Sequence, residues 1–125
     1  MGSNPFVWVE IYVQDMPRAK AFYEKVFGFS LSKLEGGPGG PEMWALPMER
    51  DHGGAGGALV RMAGVPSGGG GTLAYFACND CAVQEAKVKG AGGQVHKPKF
   101  SIGQYGFISL VVDTEGNMIG LHSMQ

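Results

Sequence analysis

The stretch VWVEIYVQD, Val7 to Asp15, decides how the rest of the chain is read. Its side chains alternate: Val7, Val9, Ile11 and Val13 fall on one side of an extended strand, and Trp8, Glu10 and Tyr12 on the other. The aliphatic side is suited to packing on a helix. The aromatic side carries one acid, and a carboxylate set among rings needs a partner to offset its lost hydration. That partner is a metal, a substrate, a proton or a salt bridge. A surface that mixes rings with one placed polar group suits a concave binding site. The alternative is an exposed side with Glu10 paired to a cation, for which Arg61 and Lys99 are the candidates.

Downstream, Asp15 offers a helix N-cap and Pro17 fits a first turn. Met16, Ala19, Phe22, Tyr23, Val26 and Phe27 then recur at helical spacing, and Gly28 supplies the stop. Strands are expected over 30–34, 43–46 and 55–62, with glycine-rich turns between them. The same order then returns. A strand over 73–78 leads to a helix capped by Asn79 or Asp80, which runs to about Lys89 and stops at Gly92-Gly93. Strands are expected over 94–97, 106–112 and 118–122, with Asp113 to Gly116 as the turn between the last two. Overlaying Asp15 on Asp80 also overlays Gly28 on Gly93, so the repeat is half the chain and points to a duplicated module. Module one spans about 5–63, a linker 64–71, and module two about 72–123, all within one domain.

Composition narrows the function. A net charge of −1 with no basic run disfavours nucleic acid and anionic membranes as partners. No apolar segment is long enough to span a bilayer, and MGSNPF lacks the features of a signal peptide, so a cytoplasmic protein is expected. The 22 glycines cluster in candidate loops and corners, but no phosphate-loop pattern accompanies them. Cys78 and Cys81 make one C-x-x-C pair, half of a structural zinc site, and read as two small thiols at a strand-to-helix corner. His52 reads as a solvated loop residue.

The segments VEIYVQDMPRAKAFYEKVFGF, GGALVRM and GAGGQVHKPKFSIGQYGFISLVVDTEGNMIGLHS, with the paired-module layout, resemble the vicinal oxygen chelate superfamily of glyoxalase I, bleomycin-resistance proteins and extradiol dioxygenases. The resemblance implies an α+β fold of two tandem βαβββ modules whose curved sheets form a cup, and it implies a homodimer. Enzymes of that superfamily hold a divalent metal in the cup, on ligands from the first and last strands of each module. Carried over position by position, those places fall on Trp8, on a strand over 55–62 with no His, Asp or Glu, on Leu73 or Thr72, and on Gly120. Glu10 and His122 stand two residues from the usual places. A catalytic zinc site takes three protein ligands, so no metal ligand and no cofactor are assigned.

The expected ligand-binding residues are Trp8, Glu10, Tyr12, Trp44, Tyr75 and His122, with a cover for the core as the other, more common use of a tryptophan placed like Trp44. Gly120 would leave room where a carboxylate stands in the family. Tyr75 takes the place in module two that Glu10 takes in module one, unless a one-residue slip presents Phe76 instead. His122 is either a ligand or proton-donating group or a strand-end histidine bonded to backbone. The expected function is binding of a small, partly aromatic or cationic organic molecule. The alternative is a metal-assisted or general-base lyase, isomerase or dioxygenase acting on a small carbonyl or aromatic compound, with Glu10 as base and His122 assisting.

Overall fold

The computed structural model describes residues 8–35, 39–48 and 54–125, so Val7 and His52 lie outside the described residues. Module one is β1 (Trp8–Tyr12), α1 (Met16–Phe27), β2 (Ser32–Leu34), β3 (Glu42–Ala45) and β4 (Gly56–Arg61). Module two is β5 (Ala74–Ala77), α2 (Cys81–Val88), β6 (Gln94–Ser101), β7 (Phe107–Val112) and β8 (Met118–Ser123). The strand order is β1-β4-β3-β2 in one sheet and β5-β8-β7-β6 in the other. The first strand of each module pairs parallel with its last, and the remaining pairs are antiparallel. The fold is α+β with two βαβββ modules, as expected from the sequence, and the duplication extends to strand order.

Local chemistry sets the helix ends. Asp15 is extended, and its side chain accepts from Arg18 N at 3.1 Å. Pro17 sits in the first turn, where its missing N–H removes no helical bond. Gly28 ends α1 at φ 77°, a conformation that other residues resist. Asp80 caps α2 by accepting from Ala82 N at 3.0 Å. Beyond Val88 the chain continues as a 3-10 turn, Lys89–Ala91, until Gly92 stops it at φ 97°.

One core serves both modules. Ile11 and Leu59 from sheet one, Val13 just beyond β1, and Val111, Ile119 and Leu121 from sheet two pack with Phe22, Tyr23 and Val26 of α1. Phe27 stacks on Phe76 of β5 with centroids 4.6 Å apart. This fixes the register that sequence left open: Phe76 points to the core, and Tyr75 is half exposed on the other face. The strand expected over 94–97 continues to Ser101, with register shifts around Lys97. It tolerates Pro98 because β6 is an edge strand, where a missing N–H need break no ladder bond.

The turn after β7 does more than reverse the chain. The Glu115 side chain is fully buried and takes Arg18 bidentately, Nε at 2.7 Å and Nη2 at 2.8 Å. It also accepts from the backbone N–H groups of Gln14 and Asp15, each at 2.9 Å, and from the Thr114 hydroxyl. Burial alone would raise its carboxyl, but Arg18, Thr114 and the two amides outweigh burial and hold it at about 2. Asp113 accepts from the buried Tyr23 hydroxyl at 2.7 Å and from the Glu115 and Asn117 amides. Asn117 donates to Tyr12 O at 2.8 Å and accepts from Gly68 N at 2.7 Å. Residues 113–117 therefore clamp the start of module one and the inter-module segment together. No described helix is long and apolar enough to cross a membrane.

Candidate functional site

The parallel register pairs Trp8 with Gly56, Glu10 with Ala58 and Tyr12 with Val60, while Ile11 pairs with Leu59 of the core. Trp8, Glu10 and Tyr12 therefore share the face turned away from the helices. There they bind one another. Trp8 Nε1 donates to Glu10 Oε2 at 3.1 Å, and the Tyr12 hydroxyl donates to Glu10 Oε1 at 2.6 Å. The Tyr12 phenol is raised, first by that hydrogen bond, then by burial and by the charge of Glu10. The cations expected for Glu10 are engaged elsewhere. Arg61 Nε donates to Gln14 O at 3.2 Å, and Lys99 Nζ pairs with Asp80 at 2.8 Å. The two flanking rings, rather than a salt bridge, satisfy the acid.

In sheet two, Tyr75 pairs with Gly120 across β5 and β8. A Cβ built on Gly120 would collide with the Tyr75 ring. The room expected at Gly120 is thus filled by an aromatic side chain, because glycine lets the ring lie flat on the strand. Sheet one repeats the device, since a Cβ on Gly56 would meet Met48 Sδ at 2.9 Å and Trp8 Cε3 at 3.4 Å. Gly120→Ala should therefore lower stability by roughly 1–3 kcal/mol by crowding the Tyr75 ring. A thermal double-mutant cycle checks this: Tyr75→Ala should relieve most of the loss, and strict additivity would contradict the contact.

His122 pairs with Ala77 and Ile108, and its Nε2 lies 2.7 Å from Tyr105 O. A carbonyl only accepts, so that nitrogen carries the proton, and the strand-end, backbone-bonded alternative describes the contact. Trp44 does not join the others. It pairs with Leu59 on the helix side, donates to Glu42 Oε2 at 3.1 Å, and lies under Lys20 Nζ, 3.3 Å from the ring centroid. Cys78 and Cys81 are free thiols, half-buried and buried. Burial, then the neighbouring Cys81, pushes the Cys78 thiol up, which opposes a reactive thiolate. Among the described residues, no three His, Cys, Asp or Glu side chains are placed to hold a metal ion.

Among the described residues, strands β1 and β5 each pair along one edge. Two cavities lie along their unpaired edges and share Val9, Ile11 and Ala74. One, of about 310 Å³, is lined by Glu10, Tyr12, Ser67, Thr72, Asn117 and the glycine run 68–71. The other, of about 400 Å³, is lined by Phe29, Leu46, Pro47, Tyr75 and Phe76. The sequence reading missed both the seam and the linker's share in it. The run of four glycines was the available signal, since only residues without side chains leave such a loop open.

The profile of the Glyoxalase/Bleomycin resistance protein/Dioxygenase superfamily matches residues 6–121. The curated relatives "Putative glyoxylase CFP32" from Mycobacterium bovis and Mycobacterium tuberculosis are 34% identical over 121 residues. That match covers 91% of this chain and 43% of theirs, so the chain spans less than half the length of these relatives. Among solved structures, a glyoxalase I variant from Zea mays matches with a TM-score of 0.76 at 23% identity, over 95% of this chain and 46% of that one. TnmS3, an antibiotic binding protein from Streptomyces sp. CB03234, matches with a TM-score of 0.69 at 24% identity, over 100% of this chain and 99% of that one. At these identities the two structures speak for the fold.

Proposed function

The chain belongs to the Glyoxalase/Bleomycin resistance protein/Dioxygenase superfamily, and from that premise we propose that it binds a small organic molecule in the seam between its sheets, without a metal. The observation that carries this reading is the pair of cavities along β1 and β5, one walled mainly by apolar side chains and the other mixing apolar groups with Glu10, Tyr12, Ser67, Thr72 and Asn117. The antibiotic-binding neighbour of almost equal length supports binding as the role. Metal independence is supported by the donor set. Trp8, Gly120 with the Tyr75 ring upon it, and a β4 strand reading GGALVR offer no ligands at the family's metal positions. The protein is read as a cytoplasmic homodimer, in which exposed Tyr105 and Met124 would find cover.

A library of small aromatic compounds, read by thermal shift and tryptophan emission, tests the binding role. A ligand at a hundred times its Kd should stabilise the fold by roughly 2.7 kcal/mol. Silence across the library would refute the reading. Elemental analysis after purification, then titration with nickel, manganese and zinc, tests the rest. The expected result is neither stoichiometric metal nor a thermal shift, and either one would overturn metal independence. Light scattering should return twice the 13.2 kDa chain mass.

A further inference from the structure

Sheet one carries the same device on both faces. On the helix side, Trp44 donates its indole N–H to Glu42 at 3.1 Å, and Lys20 Nζ stands over that indole, 3.3 Å from the centroid. On the other face, Trp8 donates its indole N–H to Glu10, also at 3.1 Å, and Tyr12 donates to the second oxygen at 2.6 Å. A carboxylate pinned to the edge of an indole sets a negative charge beside a ring face that itself attracts cations. On the helix side the chain supplies the cation. On the other face, among the described residues, none is paired with Glu10: Arg18 holds Glu115, Lys99 holds Asp80, Lys25 binds Gly90 O and Arg61 binds Gln14 O.

We propose that Trp8, Glu10 and Tyr12 form a binding site for an organic cation, a protonated amine or a quaternary ammonium carried on a short apolar body. This rests on the seam being a small-molecule site, and it names the class of molecule. Each Glu10 oxygen accepts one hydrogen bond and keeps further acceptor capacity for an incoming N–H. The two ring donors hold the carboxylate in place before a ligand arrives, which reduces the ordering that binding requires. Glu10 and Tyr12, though not Trp8, line the cavity of about 310 Å³, whose strand edges at Val9, Ile11 and Ala74 would flank the apolar body. An anion meets an acid there and is rejected.

The test uses Trp44→Phe protein, so that emission reports Trp8 alone, and four probes: benzyltrimethylammonium, benzylamine, benzyl alcohol and benzoate. The two cations should change Trp8 emission saturably and bind roughly tenfold tighter than the alcohol, with benzoate weakest. Glu10→Gln should collapse the ratio between the cations and the alcohol. Added salt should weaken the cations alone, because the site is open to solvent. Benzylamine tighter than the quaternary ion assigns the dominant contact to the carboxylate, and the reverse order assigns it to the rings; both support the site. Equal binding of cation and alcohol, or a ratio that Glu10→Gln leaves intact, overturns the cation site, and alcohol binding then leaves the seam reading standing. Failure of all four probes at millimolar concentration also overturns the cation site, and the broader library decides the seam on its own.

Discussion

Glu115→Ala should cost roughly 3 kcal/mol of folding stability, because it removes a buried carboxylate that accepts from two backbone amides, the Thr114 hydroxyl and the half-exposed Arg18. The substitution frees Arg18 and strips acceptors from the amides of Gln14 and Asp15 at the start of module one. For a chain of 125 residues this corresponds to a fall in Tm of roughly 10–20 °C. Acid should act through the same group. The folded carboxyl titrates at about 2 and its ordinary value is 4.5, so the unfolded chain takes the proton first as pH falls. The stability that Glu115 confers is present above about pH 4.5 and is lost as pH falls toward about 2. The gap from 4.5 to about 2 amounts to roughly 3 kcal/mol. Urea unfolding across that range should show a steep acid limb in the wild type and a flatter one in Glu115→Gln. Identical limbs, or an alanine loss under about 1 kcal/mol, would remove the turn from its place as the clamp.

The second large effect is expected at Gly93→Ala. A Cβ there would run into Val112 O, and would stand 2.6 Å from Phe22 Cε1 and 3.0 Å from Val88 Cγ1. Backbone and core side chains cannot step aside as a flexible surface group can, so the loss should be about 3 kcal/mol or more, with much of the protein insoluble. Gly28→Ala is the control. Its φ of 77° disfavours alanine, but nothing lies within 4 Å of the added methyl, so about 1 kcal/mol is expected. Equal losses by chemical denaturation would show that conformation, not space, sets both positions.

These two glycines also show where sequence reading succeeds and where it stops. Overlaying the halves superimposes Gly28 on Gly93 and so reveals the duplication, because helix length and stop position are local properties. The overlay cannot show that the residues are glycine for different reasons: in module two it is Gly92, at φ 97°, that turns the chain, while Gly93 makes room for Phe22. Strand alternation correctly put Trp8, Glu10 and Tyr12 on one face, since the pleat alone dictates it. For Trp44 the sequence leaves a pocket wall and a cover for the core both open, and its register with Leu59 puts it on the core side. The partner of Glu10 was sought among distant cations and proved to be its own i±2 neighbours. The turn at 113–117 read as a plain reversal, since its partners are some hundred residues away and leave no local trace.

That separation constrains the order of events when the chain is made. The amides of Gln14 and Asp15 and the hydroxyl of Tyr23 receive their acceptors from residues 90 to 101 positions later. Sheet two, likewise, cannot form its central pair until β8 exists. The first half of a nascent chain therefore leaves the ribosome with its helix start unsatisfied and half its core missing, and must wait for the second. Folding of this domain should therefore complete only after the late turn and β8 have emerged, slowed by closure of these long loops.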